Sequence, residues 1–586
     1  MCGITSFVGR KKNLNEVVHN LKKLEYRGYD SAGVAWIENG AIKTIKSIGE
    51  IKNLETKITQ KIMSNCIISH TRWATHGKIS EINTHPHVSK NGTWAVVHNG
   101  IIENHKALKA QFELNVLSET DTAVISELLE KQKASSIFDF KDAVSLLNGS
   151  YALVCICEQN PDRLFFAKNK SPLYVATNEF GEFMIASDPV CFVGFSNKFI
   201  SLNDGDYGFV ELNNIEVFNF NNKMYNPIWK INDVLDIESN ITSEKFFMQK
   251  EINEEEKILK NLVKSYKNKK ILEIFDKDFL CNFKEIMFIG CGTAFHAGLY
   301  GAEILQSKLN VHAHAEMASE FIAKGGRFVS NETLCFFISQ SGETADTLQA
   351  LKLAKEKQAV VIGLTNIMHS TLAQKCDYVL PTLAGPEIAV ASTKAFVCQM
   401  AILFLFAAYF QSNLKIDPFE QVLEISQKLR KYDLNYVENI SNLIKNIKKC
   451  MFIGTEINSV IAKESALKLK EVSYINAVSY PSGELKHGYL ALIDEGFPVI
   501  AIALNHQTNY RTINSAIEAE TRGANILFIT NEKMDFENSI YIDENDEFLA
   551  SIICSKITQT IAFCVSQKLG INPDKPKNLA KSVTVE

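Results

Sequence analysis

Two stretches in the second half of the sequence resemble each other and predict a duplicated α/β unit. KEIMFIGCGTAFHAG (residues 284–298) and KKCMFIGTEINSVIA (448–462) each run through a buried-strand pattern into Ile-Gly. Gly290 and Gly454 are 164 positions apart, and the later strand ends at Asn366 and Asn531 are 165 apart. Strands that alternate with helical patterns predict parallel, doubly wound sheets with ligands at the carboxyl ends of the strands. Coincidence between two common strand endings is the alternative.

The first 230 residues predict a different architecture. Short runs rich in β-branched or aromatic residues, such as TWAVVHNG, YALVCICE and LFFAKN, indicate strands. Helical patterns such as TDTAVISELLEKQ interrupt them. We expect a layered α/β domain over residues 2–230. A linker over 231–265 should follow, because its acidic run EINEEEK is typical of a solvated helix face.

Composition limits the classes of function. The formal net charge of −5 over 586 residues argues against a general nucleic-acid or anionic-membrane surface. The longest apolar stretch, Phe396–Phe410, is shorter than the roughly 18–20 residues that span a bilayer, so it predicts a buried helix. The 13 cysteines show neither CxxC pairs nor Cys/His ligand spacing. We expect a cytoplasmic protein that has no signal peptide, membrane anchor, metal or cofactor and binds no nucleic acid.

The start of the chain, MCGITSFVGR, places a cysteine directly after the initiator methionine. If Met1 is removed, Cys2 carries a thiol beside a free α-amine. An α-amine has a pKa of about 8, so it can accept a proton from the neighbouring nucleophile without help from a histidine. A cysteine that lies near the start by accident is the alternative.

Three further segments carry polar groups of the kind that amide hydrolysis needs. HTRWATHG (residues 70–77) forms a polar loop after a buried strand, and HNG places Asn99 and Gly100 at the end of another. An asparagine amide and a glycine N–H are two donors suited to an oxyanion hole. Asp121 begins a helix in SETDTAVI, where an N-cap is the alternative to a binding role.

Together, CGI, EYRGYDSAG (25–33), HTRWATHG, NTHPH, HNGIIEN and SETDTA resemble the class II glutamine amidotransferase domain, a family of N-terminal-nucleophile hydrolases. The resemblance implies that Cys2 attacks the side-chain amide of glutamine and forms a γ-glutamyl thioester. It also implies that Asn99 and the Gly100 N–H hold the oxyanion.

The same resemblance implies how glutamine is recognised. Arg72, Thr75 and His76 would bind the α-carboxylate, and Asp121 the α-ammonium, in keeping with charge-assisted pairing. Trp73 would gate a channel for ammonia, with a simple packed aromatic as the alternative.

A polar loop in the second half suits a phosphate. LCFFISQSGETADTLQALKLAKE runs from a buried strand through SQSGET into a helix. The loop offers hydroxyl and amide donors, a glycine that permits close approach, and the N–H groups of a helix N-terminus. The candidate phosphate ligands are Ser339, Gln340, Ser341 and Thr344. The sequence is not a Walker A loop, and a simple capping box is the alternative.

SQSGET resembles the phosphosugar signature of sugar isomerase (SIS) domains, as do GCGTAFHAG, AEMASEF, EIAVASTKAF, ESALKLKE, SGELKHG and KNLAKSVTVE. A class II glutaminase joined to tandem SIS domains resembles the family that makes glucosamine 6-phosphate from glutamine and fructose 6-phosphate. The resemblance implies an N-terminal-nucleophile domain, SIS subdomains at 266–415 and 430–575, and a tail at 576–586 that reaches the sugar site. A homodimer is expected.

The family resemblance also implies roles in the sugar chemistry. Lys581 would form a Schiff base with the C2 carbonyl, and Glu471, supported by Lys468, would move a proton between C1 and C2. His487 would assist ring opening. An amine, a carboxylate base and an imidazole are the groups that this chemistry requires. The remaining implied ligands of the sugar phosphate are Thr293 and Ser392.

Other functions remain as alternatives. A glutaminase that feeds another acceptor, such as a phosphoribosyl group, needs an acidic pyrophosphate motif after a strand, and we find none. A sugar-phosphate sensor would need the phosphate loop but not Lys581. A deglycase-type SIS enzyme would have little use for a glutaminase half.

Overall fold

The computed structural model describes residues 2–74, 76–231, 244–412, 414–432 and 447–583. The chain divides into two compact units. The first comprises residues 1–241 with 582–586, and the second comprises residues 242–581. Each unit is described by itself.

The first unit is built on two antiparallel sheets. Its strands are β1 Gly3–Asn13, β2 Ser31–Glu38, β3 Ala41–Ile48, β4 Met63–Arg72, β5 His87–Val88, β6 Trp94–Ile102, β7 Gly149–Cys157, β8 Asn160–Asn169, β9 Tyr174–Thr177, β10 Phe183–Ala186, β11 Lys198–Ser201, β12 Tyr207–Glu211, β13 Asn214–Phe218 and β14 Lys230–Ile231. One sheet has the order β14-β11-β9-β10-β1-β4-β2-β3, and the other has the order β13-β12-β8-β7-β6-β5.

Helices cover the outer face of each sheet. They are α1 Leu14–Lys22, α2 Ile51–Lys57, α3 His105–Gln111, α4 Ala123–Lys131 and α5 Ile137–Val144. Apolar residues from both sheets, such as Ile4, Ile68, Val97 and Val154, form a core between them. α1 and α2 pack on the larger sheet, and α4 and α5 on the smaller. The result is the layered α/β sandwich that the sequence predicts.

The strand that follows Cys2 lies in the middle of the larger sheet. β1 pairs with β4 on one side and with β10 on the other. Residues Gly3–Val8 are all buried, because a central strand with both faces covered exposes neither row of side chains. The strand that follows Cys2 is therefore held by backbone pairing on both sides from Thr5 onward.

The second unit contains two parallel sheets of five strands with the same order. The first sheet has the strands β15 Glu285–Gly290, β16 Ala313–Met317, β17 Thr333–Ile338, β18 Val360–Thr365 and β19 Tyr378–Pro381. The second has β20 Lys449–Gly454, β21 Asn476–Pro481, β22 Pro498–Ala503, β23 Asn525–Thr530 and β24 Ser539–Tyr541. The orders are β16-β15-β17-β18-β19 and β21-β20-β22-β23-β24, so the duplication extends to the whole topology.

The helices of this unit alternate with the strands. Their bounds are α6 Phe247–Asn268, α7 Thr293–Leu309, α8 Ala318–Ala323, α9 Ala345–Glu356, α10 Thr371–Lys375, α11 Lys394–Phe410, α12 Pro418–Lys428, α13 Ile457–Ser473, α14 Asn509–Glu520 and α15 Glu547–Lys568. In each sheet the second strand lies on one side of the first strand, and the third strand lies on the other side. The crevice beside that strand is where doubly wound sheets bind ligands.

The acidic run expected to be a solvated linker is instead part of the second unit's core. It lies on α6, whose Met248, Ile252 and Leu259 are buried. Glu251 and Glu255 are also buried, so the prediction of a solvated face was wrong for these two residues. Their i, i+4 spacing places them on the same side of the helix.

Two helices are unusually apolar. α11 contains the predicted buried stretch, and every residue from Lys394 to Ala408 is buried. By length and hydropathy, α15 is the one described helix that could cross a membrane, but its apolar window is entirely buried within the protein. Core helices of globular proteins pass the same test, so α15 is weak evidence for a membrane span.

Candidate active sites

Cys2, Trp73 and Asn99 meet at the start of β1. The Trp73 N–H points at Cys2 Sγ over 3.3 Å, and the Asn99 amide donates to the Cys2 carbonyl over 3.1 Å. Burial raises the pKa of the Cys2 thiol, while the Trp73 N–H and the Arg72 guanidinium oppose that shift. The structure thus brings the predicted nucleophile and one predicted oxyanion donor together.

A buried histidine orients Asn99. His70 Nε2 lies 3.1 Å from Asn99 Oδ1 and 3.0 Å from the His98 carbonyl oxygen. Both partners accept, so Nε2 is the donor and the Asn99 NH2 group is turned toward Cys2. Sequence reasoning missed this role, although His70 begins the HTRWATHG motif.

His70 belongs to a group of four buried histidines, with His85, His87 and His98. The His70 and His85 rings are stacked with centroids 4.0 Å apart. Burial lowers the pKa of His70 to about 3 and takes those of His85 and His87 well below the ordinary value. The pKa of His98 is also lowered by burial. Neutral imidazoles with such low pKa values are poor general bases.

Gly100 continues β6 with a φ of +137°. A β-carbon at this position would overlap the Ser150 carbonyl oxygen on the neighbouring strand. Only glycine fits this close approach, which explains the Asn-Gly pair in structural terms. The ring of Trp73, whose N–H points at Cys2 Sγ, packs edge-on against Tyr29 with centroids 5.7 Å apart.

Arg72 and Asp121 offer charges of opposite sign. Arg72 Nη2 donates to the carbonyl oxygens of His76 and Gly77, but its buried Nη1 has no hydrogen-bond partner among the described residues. Asp121 accepts from the Ile102 N–H over 2.7 Å. It does not cap α4, whose N-cap position is Thr122. Thr75 lies outside the described residues.

The SQSGET loop joins β17 to α9 at the carboxyl end of the first parallel sheet. Ser339 Oγ lies 2.9 Å from Thr344 Oγ1 and accepts from the Gly342 N–H over 3.0 Å. The Glu343 N–H donates to Ser341 Oγ. Thr344 holds the N-cap position of α9 without a side-chain capping bond, so the alternative of a simple capping box is not observed. Gln340 lies half-buried in the same loop.

Thr293 begins α7, beyond the end of the adjacent strand β15. Its hydroxyl donates to Glu464 Oε1 over 3.1 Å and accepts from Lys468 Nζ over 3.0 Å. Because β15 and β17 are neighbours, Thr293 and the SQSGET loop lie at the same edge of the sheet. This is the crevice where the strand order reverses.

Glu464 connects the two repeats within the second unit. Besides Thr293, it contacts His296 Nδ1 at 2.7 Å and Lys468 Nζ at 3.5 Å. Thr293 and His296 lie on α7 of the first repeat, whereas Glu464 and Lys468 lie on α13 of the second. The sequence did not indicate roles for His296 and Glu464, although both lie inside the motifs GCGTAFHAG and ESALKLKE, because only folding brings them together.

Lys468 and Glu471 form a buried ion pair, with 2.6 Å between Nζ and Oε2. Burial raises the pKa of Glu471, and the charges of Lys468 and Lys581 partly offset that effect. Burial alone would lower the pKa of Lys468, but Glu471 and Glu464 raise it above its ordinary value.

The side chain of Lys581 is buried and paired with Glu387. Ser392 Oγ and the N–H groups of Thr393 and Ala395 also donate to the Glu387 carboxylate, each over 3.0 Å. Burial raises the pKa of Glu387, but Lys581 and the N–H groups of Ala395 and Thr393 hold it below its ordinary value. The Ser392 hydroxyl, predicted to bind substrate, holds Glu387 in this structure.

Further buried acids lie next to this pair. Glu251 accepts from the N–H groups of Ile388 and Ala389 over 2.5 and 3.2 Å, which supports the segment that carries Glu387. Burial and the Glu387 charge raise the pKa of Glu251 to about 8. Burial raises the pKa of Glu255 to about 7, and Lys556 opposes that shift.

His487 is not brought into this cluster. It ends a short 3-10 helix, Ser482–His487, where it is exposed and its ring makes no hydrogen bond to another described residue. Among the predicted sugar-site residues, Lys468 contacts both Thr293 and Glu471. Lys581 contacts Glu387 in a separate pair.

The fold is that of a two-part enzyme, in which a glutamine amidotransferase domain is followed by two sugar isomerase domains. Residues 70–194 match the glutamine amidotransferase domain family, and residues 279–409 and 443–565 match the SIS domain family. Solved structures agree for the second unit. The C-terminal domain of glucosamine-fructose-6-phosphate aminotransferase from Francisella tularensis has 30% identity and a TM-score of 0.52. The match covers 57% of this chain and 99% of that structure.

Tagatose-6-phosphate ketose/aldose isomerase from Escherichia coli has a TM-score of 0.51 at 18% identity, which shows the fold alone. That match covers 57% of this chain and 96% of the isomerase chain.

Full-length relatives define the family. The chain is 38% identical over 620 residues to a glutamine–fructose-6-phosphate aminotransferase [isomerizing] from Clostridium tetani. It is 36% identical over 613 residues to one from Agrobacterium fabrum. Each alignment covers 100% of both chains. This chain belongs to the glutamine–fructose-6-phosphate aminotransferase (isomerizing) family and is an enzyme.

Proposed function

We propose that the first unit hydrolyses glutamine with Cys2 as the nucleophile, after Met1 has been removed. The observation that carries the proposal is the arrangement of Cys2, Asn99 and His70 at the start of a central strand. The thiolate attacks the side-chain amide, ammonia leaves, and water hydrolyses the thioester to glutamate. The low pKa values of the nearby histidines favour the α-amine of Cys2 as the base.

The charged groups around Cys2 support the recognition of a free amino acid. Arg72 Nη1 is buried without a described partner, so a bound α-carboxylate would satisfy it. Asp121 would take the α-ammonium, and His76 and Thr75 would complete the carboxylate site. Oxyanion stabilisation falls to the Asn99 amide and the Gly100 N–H.

The second unit would bind fructose 6-phosphate at the crevice between β15 and β17. The hydroxyls of Ser339, Ser341 and Thr344 and the N-terminus of α9 suit the phosphate, and Gln340 adds an amide. Thr293 lies at the same edge and would contact the sugar phosphate from the β15 side. Ser392 would contribute to the substrate site by holding Glu387, to which its hydroxyl donates.

The amino group would reach C2 through lysine chemistry. Lys581 Nζ attacks the C2 carbonyl and water leaves, which forms an imine. Ammonia then displaces the lysine, and Glu471 moves a proton from C1 to C2 to give the aldose. Lys468, held by Glu464, stabilises the Glu471 carboxylate, and His487 opens the ring.

The proposal extends to the wider properties that the family resemblance implies. Ammonia passes from the glutaminase to the sugar site through a channel that Trp73 gates. The substrates are glutamine and fructose 6-phosphate, the protein is a cytoplasmic homodimer, and neither a membrane nor nucleic acid takes part.

A cysteine substitution tests the nucleophile. Cys2→Ala should abolish glutamine-dependent formation of glucosamine 6-phosphate, because no thioester forms, yet leave synthesis from added ammonium measurable. Cys281→Ala, which removes an exposed cysteine elsewhere, should keep both activities. Glutamine turnover by the Cys2 variant would contradict the assignment.

Retention of the initiator tests the base. A variant that keeps Met1 blocks the α-amine of Cys2 in an amide bond, so glutamine hydrolysis should fall sharply while ammonium-dependent synthesis remains. Mass spectrometry of the intact chain confirms the state of Met1. Full glutaminase activity in chains that retain Met1 would rule out the α-amine mechanism.

Borohydride trapping tests the lysine. Reduction in the presence of fructose 6-phosphate should convert the imine into a stable secondary amine on Lys581, seen by peptide mass spectrometry. Lys577→Arg, at an exposed position nearby, should leave the labelling unchanged. Label on any other lysine would refute the assignment of Lys581.

A further inference from the structure

Three side chains that can bind a metal lie together on the first parallel sheet. Glu285 begins β15, and His312 and His314 lie directly before and within the edge strand β16. Their candidate ligand atoms, one per residue, all lie within 4.8 Å of one another. No step of the proposed amidotransferase chemistry uses any of them.

The backbone explains why the three side chains converge. Residues i and i+2 of a strand project from the same face, so His312 and His314 lie side by side. In the parallel pairing, Ile286 lies opposite Ala313, which places Glu285 beside His312. Both strands belong to a five-stranded sheet, and sites on rigid elements hold their geometry better than sites on loops.

The distances fit a compact coordination sphere. Glu285 Oε1 lies 3.5 Å from His314 Nδ1 and 3.9 Å from His312 Nδ1. Around Zn²⁺, ligands about 2.0–2.1 Å from a tetrahedral ion lie about 3.3 Å from one another. Rotations of the side chains close the remaining gap, and the histidine side chains are 70% and 41% exposed, so neighbours leave them room.

We propose that Glu285, His312 and His314 form a site for a divalent transition metal of the zinc type. Two imidazoles and one carboxylate supply three protein ligands, and water completes the coordination. The site lies at the amino end of β15, and the phosphate loop follows the carboxyl end of the neighbouring strand. A strand of six residues separates the two edges by about 16 Å. The metal would therefore tie the edge strand to its neighbour rather than take part in the sugar chemistry.

The alternative is a pair of surface contacts between histidine and glutamate. Such exposed pairs contribute little and do not need a metal. The sequence predicted no metal site, because Glu285 lies far from the two histidines along the chain and the three residues show no ligand spacing.

Metal titration of the full-length protein decides between the two. Isothermal titration calorimetry with Zn²⁺ should show one saturable site per chain that requires these residues. Loss of a partner that merely orients a metal ligand typically costs 10–100-fold in affinity. His312→Ala and His314→Ala should therefore each weaken binding by at least about tenfold. A wild-type protein without saturable binding, or variants that bind as tightly, would overturn the proposal.

Two controls keep the result specific. His506, an exposed histidine 3.3 Å from Glu532, has a similar environment without a second histidine, so His506→Ala should leave the Zn²⁺ affinity unchanged. Thiols are competing ligands, so Co²⁺ spectra should lack thiolate charge-transfer bands in the near ultraviolet. Such bands, or weaker binding in His506→Ala alone, would place the ion elsewhere.

Thermal unfolding separates loss of the site from loss of the fold. Zn²⁺ should raise the melting temperature of the wild-type protein, since a ligand of the native state stabilises it. Glu285→Gln, which keeps the shape of the side chain, should melt like the wild type without metal and respond less to Zn²⁺. An equal response in this variant would contradict the assignment of Glu285.

Discussion

The two repeats of the second unit share their backbone in detail. Gly290 and Gly454 each end the first strand, and a β-carbon on either would collide with the first turn of the following helix. The residues that precede these helices have nearly the same conformation: φ and ψ are +55° and −126° at Gly292, and +54° and −127° at Glu456. The helices themselves, α7 and α13, each have 17 residues. Each is followed by a residue in the left-handed conformation, Asn310 or Tyr474.

The side chains on this shared scaffold differ. Where α13 carries Glu464, Lys468 and Glu471, the corresponding positions of α7, 164 residues earlier, are Tyr300, Ile304 and Ser307. The SQSGET loop occurs only in the first repeat, and the second has IALNHQTN at the equivalent place. We infer that the first repeat binds the phosphate and the second supplies the proton chemistry. Duplication of a fold thus fixes the positions available, and individual side chains decide the function.

The largest expected effect comes from the chemistry of the second repeat. Glu471→Gln keeps the shape of the side chain but removes the proposed base, so synthesis with ammonium should fall by about 10²–10⁴-fold in kcat. Hydrolysis of glutamine by the first unit should continue. Steady-state assays of both half-reactions measure the two effects.

Glu303→Gln is the matched control on α7 of the first repeat. Glu303 is a partly buried acid whose pKa burial raises, yet it lies outside the proposed machinery. Its variant should keep kcat within about twofold. A comparable loss in Glu303→Gln, or none in Glu471→Gln, would break the division between the repeats.

The proposed phosphate binding by the first repeat gives the next effect. Thr344→Ala removes one hydroxyl of the loop, and hydrogen bonds to charged groups contribute about 1.5–3 kcal/mol. The KM for fructose 6-phosphate should therefore rise about tenfold or more, with little change in glutaminase activity. Thr508→Ala removes the N-cap threonine at the equivalent place in the second repeat and should leave that KM unchanged. Equal effects of both changes would indicate a general loss of stability.

The sequence predicts the duplication, the strand ends and the phosphate loop because these depend on local patterns. It does not predict that Glu251 is buried, since an acidic stretch on a helix usually faces solvent. The N–H groups that hold its carboxylate belong to Ile388 and Ala389, which lie far away in the sequence. The pairing of His296 with Glu464 joins residues 168 positions apart. Such contacts require knowledge of how α7 packs on α13.

Backbone strain distinguishes the repeats more finely. Glycine adopts the positive φ at position 292 easily, whereas a residue with a β-carbon pays about 1–3 kcal/mol for it. Gly292→Ala should lower the free energy of unfolding by about that amount. Glu456→Gly should raise it by up to about 1 kcal/mol, because relief of strain exceeds the entropy that glycine adds to the unfolded chain. Urea unfolding followed by circular dichroism measures both, and shifts of the same sign would disprove the equivalence.

Ionisation of the acid behind the first repeat gives the smallest effect. Glu251 supports the connection between β19 and α11, next to Glu387 and Lys394. Burial raises its pKa in the folded state to about 8, above the ordinary 4.5, so the folded state holds a proton that the unfolded chain releases. Stability from this group is complete below about pH 4.5 and is lost as the pH rises toward 8. Glu251→Gln remains neutral and should escape this loss.

The variant should therefore gain stability relative to the wild type between pH 6 and pH 8, by on the order of 1 kcal/mol. Calorimetry measures this gain in the unfolding transition that fructose 6-phosphate raises, since that ligand would bind only the second unit. In the second repeat the equivalent connection uses Asp546, which caps α15 and pairs with Lys308 at 2.7 Å. Asp546→Asn should show no such gain at pH 8. A gain in this control would show that the effect is not specific to Glu251. A constant difference between Glu251→Gln and the wild type at both pH values would mean that Glu251 is charged in the folded protein.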